Sequence, residues 1–291
     1  MKNQFKIIVA FFLLLFIVGC SSENPVPRTT SEPIVSNPTT STNPAVITVP
    51  QTQNQTFSYL ALGDSYTIGQ SVCEPCRFPE QLKKSLSNLN PNNNYPLQLI
   101  AQTGWTTTNL ISAIDLQNPA SDYDLVTLLI GVNNQYQNRS FSLYEKEFPE
   151  LVTKAIALAK GDKANVIVVS IPDYAYTPYG QGSGIQSKIS MEIDMYNAFA
   201  KKYCTDNAIE FINITDITRQ GLTNTNLVAQ DGLHPSELAY SLFVERILPK
   251  AATAMSRPEI AIHKKDRYGR KHKLCKTHPT RLQYVFKASN C

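Results

Sequence analysis

Five short runs rich in apolar and β-branched residues recur along the middle of the chain, at 57–63, 97–103, 125–131, 165–171 and 210–214. Between them lie segments with helical spacing, among them 141–160, 185–207 and 235–252. This alternation admits few folds: strands joined by helical crossovers run parallel, and their sheet needs a layer of helices on each face. The pattern predicts one α/β domain over 57–255, long enough for a single sizeable core. In open parallel sheets, ligands bind beyond the carboxyl ends of the strands. Ser65, Gly104 and Asn133 each follow a predicted strand, so they should meet at one edge despite their separation in sequence. A residue in the loop before the last helix can return to the same edge.

That loop carries the only histidine in residues 1–262, His234, within Asp231-Gly232-Leu233-His234-Pro235. An activated serine needs an imidazole to take its proton, and the imidazole needs an acid to hold its tautomer. Asp231 lies three positions from His234, and a tight turn at Gly232 would bring carboxylate against ring. Ser65 lies in Gly63-Asp64-Ser65-Tyr66-Thr67, at a strand-to-helix junction where backbone N–H groups are free. Taken singly, each piece has a plainer reading: the serine as a helix cap, Asp231 as a capping turn residue, Asn133 and Asn134 as loop residues.

Together the four blocks carry a resemblance. Gly63-Asp64-Ser65-Tyr66, the glycine of Gln102-Thr103-Gly104-Trp105, Gly131-Val132-Asn133-Asn134 and the Asp231 to Pro235 block resemble, in order, those of the SGNH hydrolases, also called GDSL esterases and lipases. The resemblance implies a flavodoxin-like three-layer α/β/α sandwich with a five-stranded parallel sheet. Carried over position by position, it makes Ser65 the nucleophile, His234 the general base and then acid, and Asp231 its orienting carboxylate. The oxyanion hole it implies comprises the backbone N–H groups of Ser65 and Gly104 and the side-chain amide of Asn133. Gly104 is the only glycine between 69 and 131. No metal or organic cofactor is called for, since the protein itself supplies nucleophile, base and oxyanion donors. Asn134 departs from the aspartate many members carry there, a change that bears on loop support and is expected to alter substrate preference before activity. Asp64 reads as support for the turn, and Asp173, Asp194 and Asp216 stand as fallback acids.

Tyr179-Gly180-Gln181-Gly182-Ser183-Gly184 is superficially like a phosphate loop but has no lysine where one is needed. It reads instead as a flexible, aromatic-flanked loop over the acyl or leaving-group site. Cys73 and Cys76 lack the second cysteine pair or the histidines of a zinc site, which leaves a local disulfide or two thiols. Cys204 falls on a predicted helix and reads as a small buried hydrophobe.

At the N-terminus, Lys2 and Lys6 precede twelve apolar residues, 7–18, the layout of a secretion signal. Ile17-Val18-Gly19-Cys20 resembles the lipobox of bacterial lipoproteins, which implies a signal peptide over 1–19 and a lipid anchor on Cys20. Residues 20–56, rich in Ser, Thr, Asn and Pro, read as a tether spanning roughly 35 Å root-mean-square. The expected location is the bacterial cell envelope, outside the cytoplasm, with the membrane held through Cys20. Residues 257–291 hold ten Lys and Arg against Glu259 and Asp266. The tail from 256 onward thus accounts for the alkaline balance, and reads as a basic arm for anionic headgroups or polysaccharide, an extension without function, or the product of a shifted reading frame.

The expected partners are an acyl-ester small molecule, lipid or glycan, and not nucleic acid. The expected activity is carboxylic ester hydrolysis through an acyl-enzyme. O-acyl transfer to an envelope glycan by the same three residues is the chemical alternative, and a noncatalytic glycan-binding lipoprotein is the alternative of another class.

Overall fold

The computed structural model describes residues 54–256; the expectations for the signal segment, Cys20, the tether up to 53 and the tail from 257 lie outside the described residues. Five strands form one sheet: β1 (Tyr59–Gly63), β2 (Leu97–Ala101), β3 (Leu125–Leu129), β4 (Val166–Val169) and β5 (Glu210–Ile212). All neighbours pair in parallel, in the order β2-β1-β3-β4-β5. The helices are α1 (Ser65–Ile68), α2 (Phe78–Leu89), α3 (Thr107–Gln117), α4 (Val132–Tyr136), α5 (Phe141–Leu158), α6 (Pro178–Gln181), α7 (Gln186–Asp206), α8 (Thr215–Thr218) and α9 (Glu237–Met255). One face of the sheet is covered by α2 and α9, the other by α3, α5 and α7. This is the expected three-layer α/β/α sandwich with five parallel strands.

The burial pattern explains why these residues are strands. In β1, β3 and β4 every residue is buried, as inner strands covered on both faces must be. Leu97–Ala101 and Glu210–Ile212 are only partly covered, because they are the two edges. The second helical layer is joined by aromatic packing: Tyr144 lies 4.5 Å from Tyr196 between ring centroids, and Phe148 meets Phe199 and Tyr203 edge-on. Such pairs add about 0.5–1.5 kcal/mol each beyond the area they bury.

Strand register places the candidate residues. Gly63 is level with both Ala101 and Leu129, so the segments that follow β1, β2 and β3 leave the sheet side by side. The chain reverses its direction of winding between β1 and β3, which is where such sheets open a crevice. Gly63 cannot carry a side chain: a Cβ there would stand 2.1 Å from Thr67 Oγ1 and 2.5 Å from the Leu129 carbonyl. The strand therefore turns directly into α1 with Ser65 at its first position.

The predicted loop over 179–184 is partly helical. Thr177 caps α6 by accepting from the Gly180 N–H, Pro178 opens it, and the chain then continues through turns to α7. A proline at the first helical position with a threonine before it favours this turn, a local signal outweighed in the sequence by the three glycines.

Candidate active site

Asp64 fixes the first wall of the site. Its Oδ1 accepts the Tyr66 N–H at 3.0 Å and so caps α1, while Oδ2 accepts from the Asn133 amide at 3.4 Å. Complete burial pushes its pKa up to about 7 against these hydrogen bonds. The carboxyl thus supports the turn, as its place beside Ser65 suggests, and also ties the end of β1 to the end of β3. Ser65 N–H opens a helix whose first amides have no partner inside it. Among the described residues neither it nor the Gly104 N–H meets a protein acceptor. The Gly104 carbonyl is held by Gln137 Nε2 at 2.8 Å, and the Asn133 amide is anchored on the Trp105 carbonyl at 3.1 Å.

Asn134 is fully buried and braces the same wall. Its Oδ1 accepts the Thr107 N–H at 2.9 Å, its Nδ2 donates to Thr107 Oγ1 at 2.6 Å, and Thr107 Oγ1 in turn donates to Glu147. The relay has a direction: amide to hydroxyl to carboxylate. An aspartate at 134 would face a hydroxyl whose single proton is already committed to Glu147, so the asparagine and Glu147 suit each other. Asn134→Asp should lower stability by about 1–3 kcal/mol at neutral pH, read as a shift in urea midpoint, and adding Glu147→Gln, which can donate, should recover part of it.

The opposite wall is the turn before α9. Asp231 Oδ1 accepts the N–H groups of Leu233 and His234 at 2.9 and 3.0 Å, and Oδ2 lies 2.6 Å from His234 Nδ1. Gly232 takes φ +72°, which lets three residues reverse this sharply. The turn is pinned from outside as well: Ala229 N–H reaches the His234 carbonyl at 2.7 Å, Tyr179 N–H reaches the Gly232 carbonyl at 2.9 Å, and Val228 pairs with Pro235. Partial burial acts to raise the Asp231 pKa, but hydrogen bonds from Ser71, the His234 ring and the two backbone amides outweigh it and hold the carboxyl well below the usual carboxylate range. An ionised carboxylate on Nδ1 requires the proton there, which leaves Nε2 as the basic nitrogen.

Ser71 is a contributor that no sequence block marked. Its hydroxyl donates to Asp231 Oδ2 at 2.6 Å, the oxygen that also faces the imidazole. Its backbone stands at φ +68°, uncommon for a residue with a side chain, and the Cys73–Cys76 disulfide closes the loop just after it. The cysteine pair is therefore a local disulfide. Cys204 is buried on α7, where burial pushes its thiol up to about 12. The fallback acids are committed elsewhere: Asp173 to Ser190 and Arg219, Asp194 to Arg219, and Asp216 to Arg246 through two contacts.

The two walls enclose a cleft of about 200 Å³. Ser65, Gly104, Asn133 and His234 all line it, with Tyr66, Val132, Leu233 and three further tyrosines. The hydroxyl of Ser65 and the imidazole of His234 share this space without a hydrogen bond between them; such contacts often tighten only when substrate is bound. The Tyr66 ring backs the imidazole at 5.2 Å between centroids. A hydroxyl, a basic nitrogen held by an ionised acid, and free amides around one small apolar cleft are the parts acyl transfer needs.

The model of the GDSL-like lipase/acylhydrolase family matches residues 61–242, and the chain belongs to that family, whose members hydrolyse carboxylic esters. Among curated proteins, none matches the sequence. Similar solved structures include a member of the lipolytic G-D-S-L family from Veillonella parvula, with 20% identity and TM-score 0.52 over 66% of this chain and 97% of that one. An acetyl xylan esterase from Geobacillus stearothermophilus has 17% identity and TM-score 0.51, over 68% and 96% of the two chains. The lipase/acylhydrolase from Enterococcus faecalis has 17% identity and TM-score 0.50, again over 68% and 96%. At these identities the likeness is one of fold.

Proposed function

We propose that the chain hydrolyses esters of short carboxylic acids through an acyl-enzyme on Ser65. The observation that carries this reading is the Asp231–His234 pair, locked in one tight turn and opening onto the cleft that Ser65 lines. His234 Nε2 takes the Ser65 hydroxyl proton as Oγ adds to the ester carbonyl. The negative charge formed on the carbonyl oxygen is met by the N–H groups of Ser65 and Gly104, each such donor being worth about 3–4 kcal/mol to the transition state, and by the Asn133 amide when it turns from its long contact with Asp64. Collapse breaks the bond to the alcohol, which leaves with the proton from His234. Water then repeats the cycle and releases the acid. The size of the cleft supports a short acyl group. Anchorage of the domain to a membrane through a lipidated Cys20 belongs to the same proposal and is tested by acyl labelling of the full chain against Cys20→Ser.

The test of the activity is a panel of 4-nitrophenyl esters of increasing chain length together with a fluorophosphonate probe. Turnover of acetate to butyrate esters and covalent labelling at Ser65 are expected; absence of both would refute the reading. Ser71→Ala is expected to lower kcat/KM by about three- to tenfold through kcat, with KM little changed, since it removes a hydrogen bond to the orienting acid and not to substrate.

A further inference from the structure

Beside the Ser65 cleft lies a second, larger cavity of about 510 Å³, within the range of small-molecule sites. Tyr136, Tyr174 and Tyr179 line both spaces, so the two are contiguous and the tyrosines form the sill between them. Tyr136 and Tyr179 are half exposed, at 50% and 44%, and their hydroxyls meet at 2.5 Å. The Tyr136 ring stands edge-on to Tyr174 at 5.9 Å. Behind this aromatic sill runs a polar chain: Tyr174 Oη donates to Gln135 Oε1, Gln135 Nε2 donates to Glu192 Oε2, both at 2.8 Å, and Lys188 Nζ lies 3.7 Å from Glu192 Oε1. The backbone of Tyr179 is also bonded to the turn that holds Asp231 and His234, which fixes the sill relative to the base.

The chemistry of this lining selects among occupants. Pro178, Ile185 and Ile189 give the lining apolar stretches, but a long acyl chain would also cover the charges of Glu192 and Lys188 and give them no hydrogen bond in return. A phosphate-bearing alcohol finds no net positive field, because Lys188 is paired with the neighbouring carboxylate. A neutral polyhydroxy ring matches both parts: its C–H face lies on tyrosine, and its hydroxyls both donate and accept along an array of amide, carboxylate and ammonium groups.

We infer that the larger cavity is a saccharide subsite that holds the alcohol side of the ester, with Tyr136 and Tyr179 as its platform. The substrate class is then a carbohydrate carrying a short acyl group, with the acyl part beside Ser65 and the sugar beyond the tyrosine sill. The catalytic part of this inference rests on the reading of Ser65 as nucleophile, whereas binding of sugar does not.

The experiment has a kinetic and a binding arm, run on wild type, Tyr136→Ala and Glu192→Ala, with circular dichroism and melting to confirm folding. Kinetics compare acetate release from acetylated cellobiose with hydrolysis of 4-nitrophenyl acetate and 4-nitrophenyl octanoate. Each variant is expected to lower the ratio of kcat/KM for the acetylated sugar to that for 4-nitrophenyl acetate by about tenfold, through KM. Saturation-transfer NMR with underivatised cellotetraose and xylotetraose should show contact in wild type that weakens in both variants. A preference for the octanoate that both variants abolish would make the cavity an acyl site and overturn the inference. Equal loss on sugar and nitrophenyl esters, or no contact with either tetraose, would do the same. If no ester turns over and Ser65 resists fluorophosphonate while tetraose contact persists, the hydrolytic reading fails and the subsite stands.

Discussion

Asp231→Asn should cost about 10³–10⁴ in kcat with KM nearly unchanged. The size of the effect follows from which way the new amide must face. Two backbone N–H groups, from Leu233 and His234, converge on Asp231 Oδ1, and an asparagine keeps them only by placing its oxygen there. Its NH₂ then occupies the position of Oδ2, against His234 Nδ1. A donor at that point makes Nδ1 an acceptor and moves the ring proton to Nε2, the atom proposed to take the proton from Ser65. The fold need not change, so the structure should melt close to wild type while activity falls. Steady-state kinetics on a short 4-nitrophenyl ester, with NMR of the ring nitrogens to read the tautomer, checks both halves. Loss below tenfold would show that the carboxylate does not orient a catalytic imidazole.

Ser65→Ala should have an effect at least as large, about 10⁴-fold or more on kcat for every ester, together with loss of fluorophosphonate labelling. The substitution removes the atom proposed to bond to the acyl carbon and leaves the proposed oxyanion donors intact, because the N–H groups of residue 65 and Gly104 belong to the backbone. Some turnover above water can therefore persist through charge stabilisation alone. The serine side chain makes no hydrogen bond that holds the fold, so stability is expected to stay within a few tenths of a kcal/mol. Retention of activity with the short esters would remove Ser65 from the chemistry and would leave the cleft to be explained as a binding site.

Strands β1, β3 and β4 were legible because inner strands of a parallel sheet are largely apolar on both faces and stand out as runs, and the edge strands β2 and β5 through their short β-rich runs. The structure trims them at their ends, as at 97–103, where pairing stops at Ala101 and the next residues turn into the site. Long helices α5, α7 and α9 were legible from their period. By contrast, α3 is not among the helical segments named from the sequence; its first turn is made by a capping box between Thr106 and Asn109 and by the clasp of Asn134, a partner 27 residues away. The site blocks were visible through their order. What escaped was set by approach in space: Ser71 on the acid, the Trp105 carbonyl on Asn133, and the joining of Tyr136 from α4 to Tyr179, whose aromatic-flanked loop the sequence had set over the site. For Asn134, sequence offered only a departure from a family pattern, and Thr107 with Glu147 supplies its physical reason.

The two groups that would exchange a proton lie far apart in the sequence: Ser65 opens α1 and His234 precedes α9. Helix α9 packs against α2, which follows the serine. A chain still being synthesised, or one clipped ahead of residue 231, would carry a harmless hydroxyl. Competence requires the closing segment to be docked, so hydrolytic activity can serve as a gauge of completed folding.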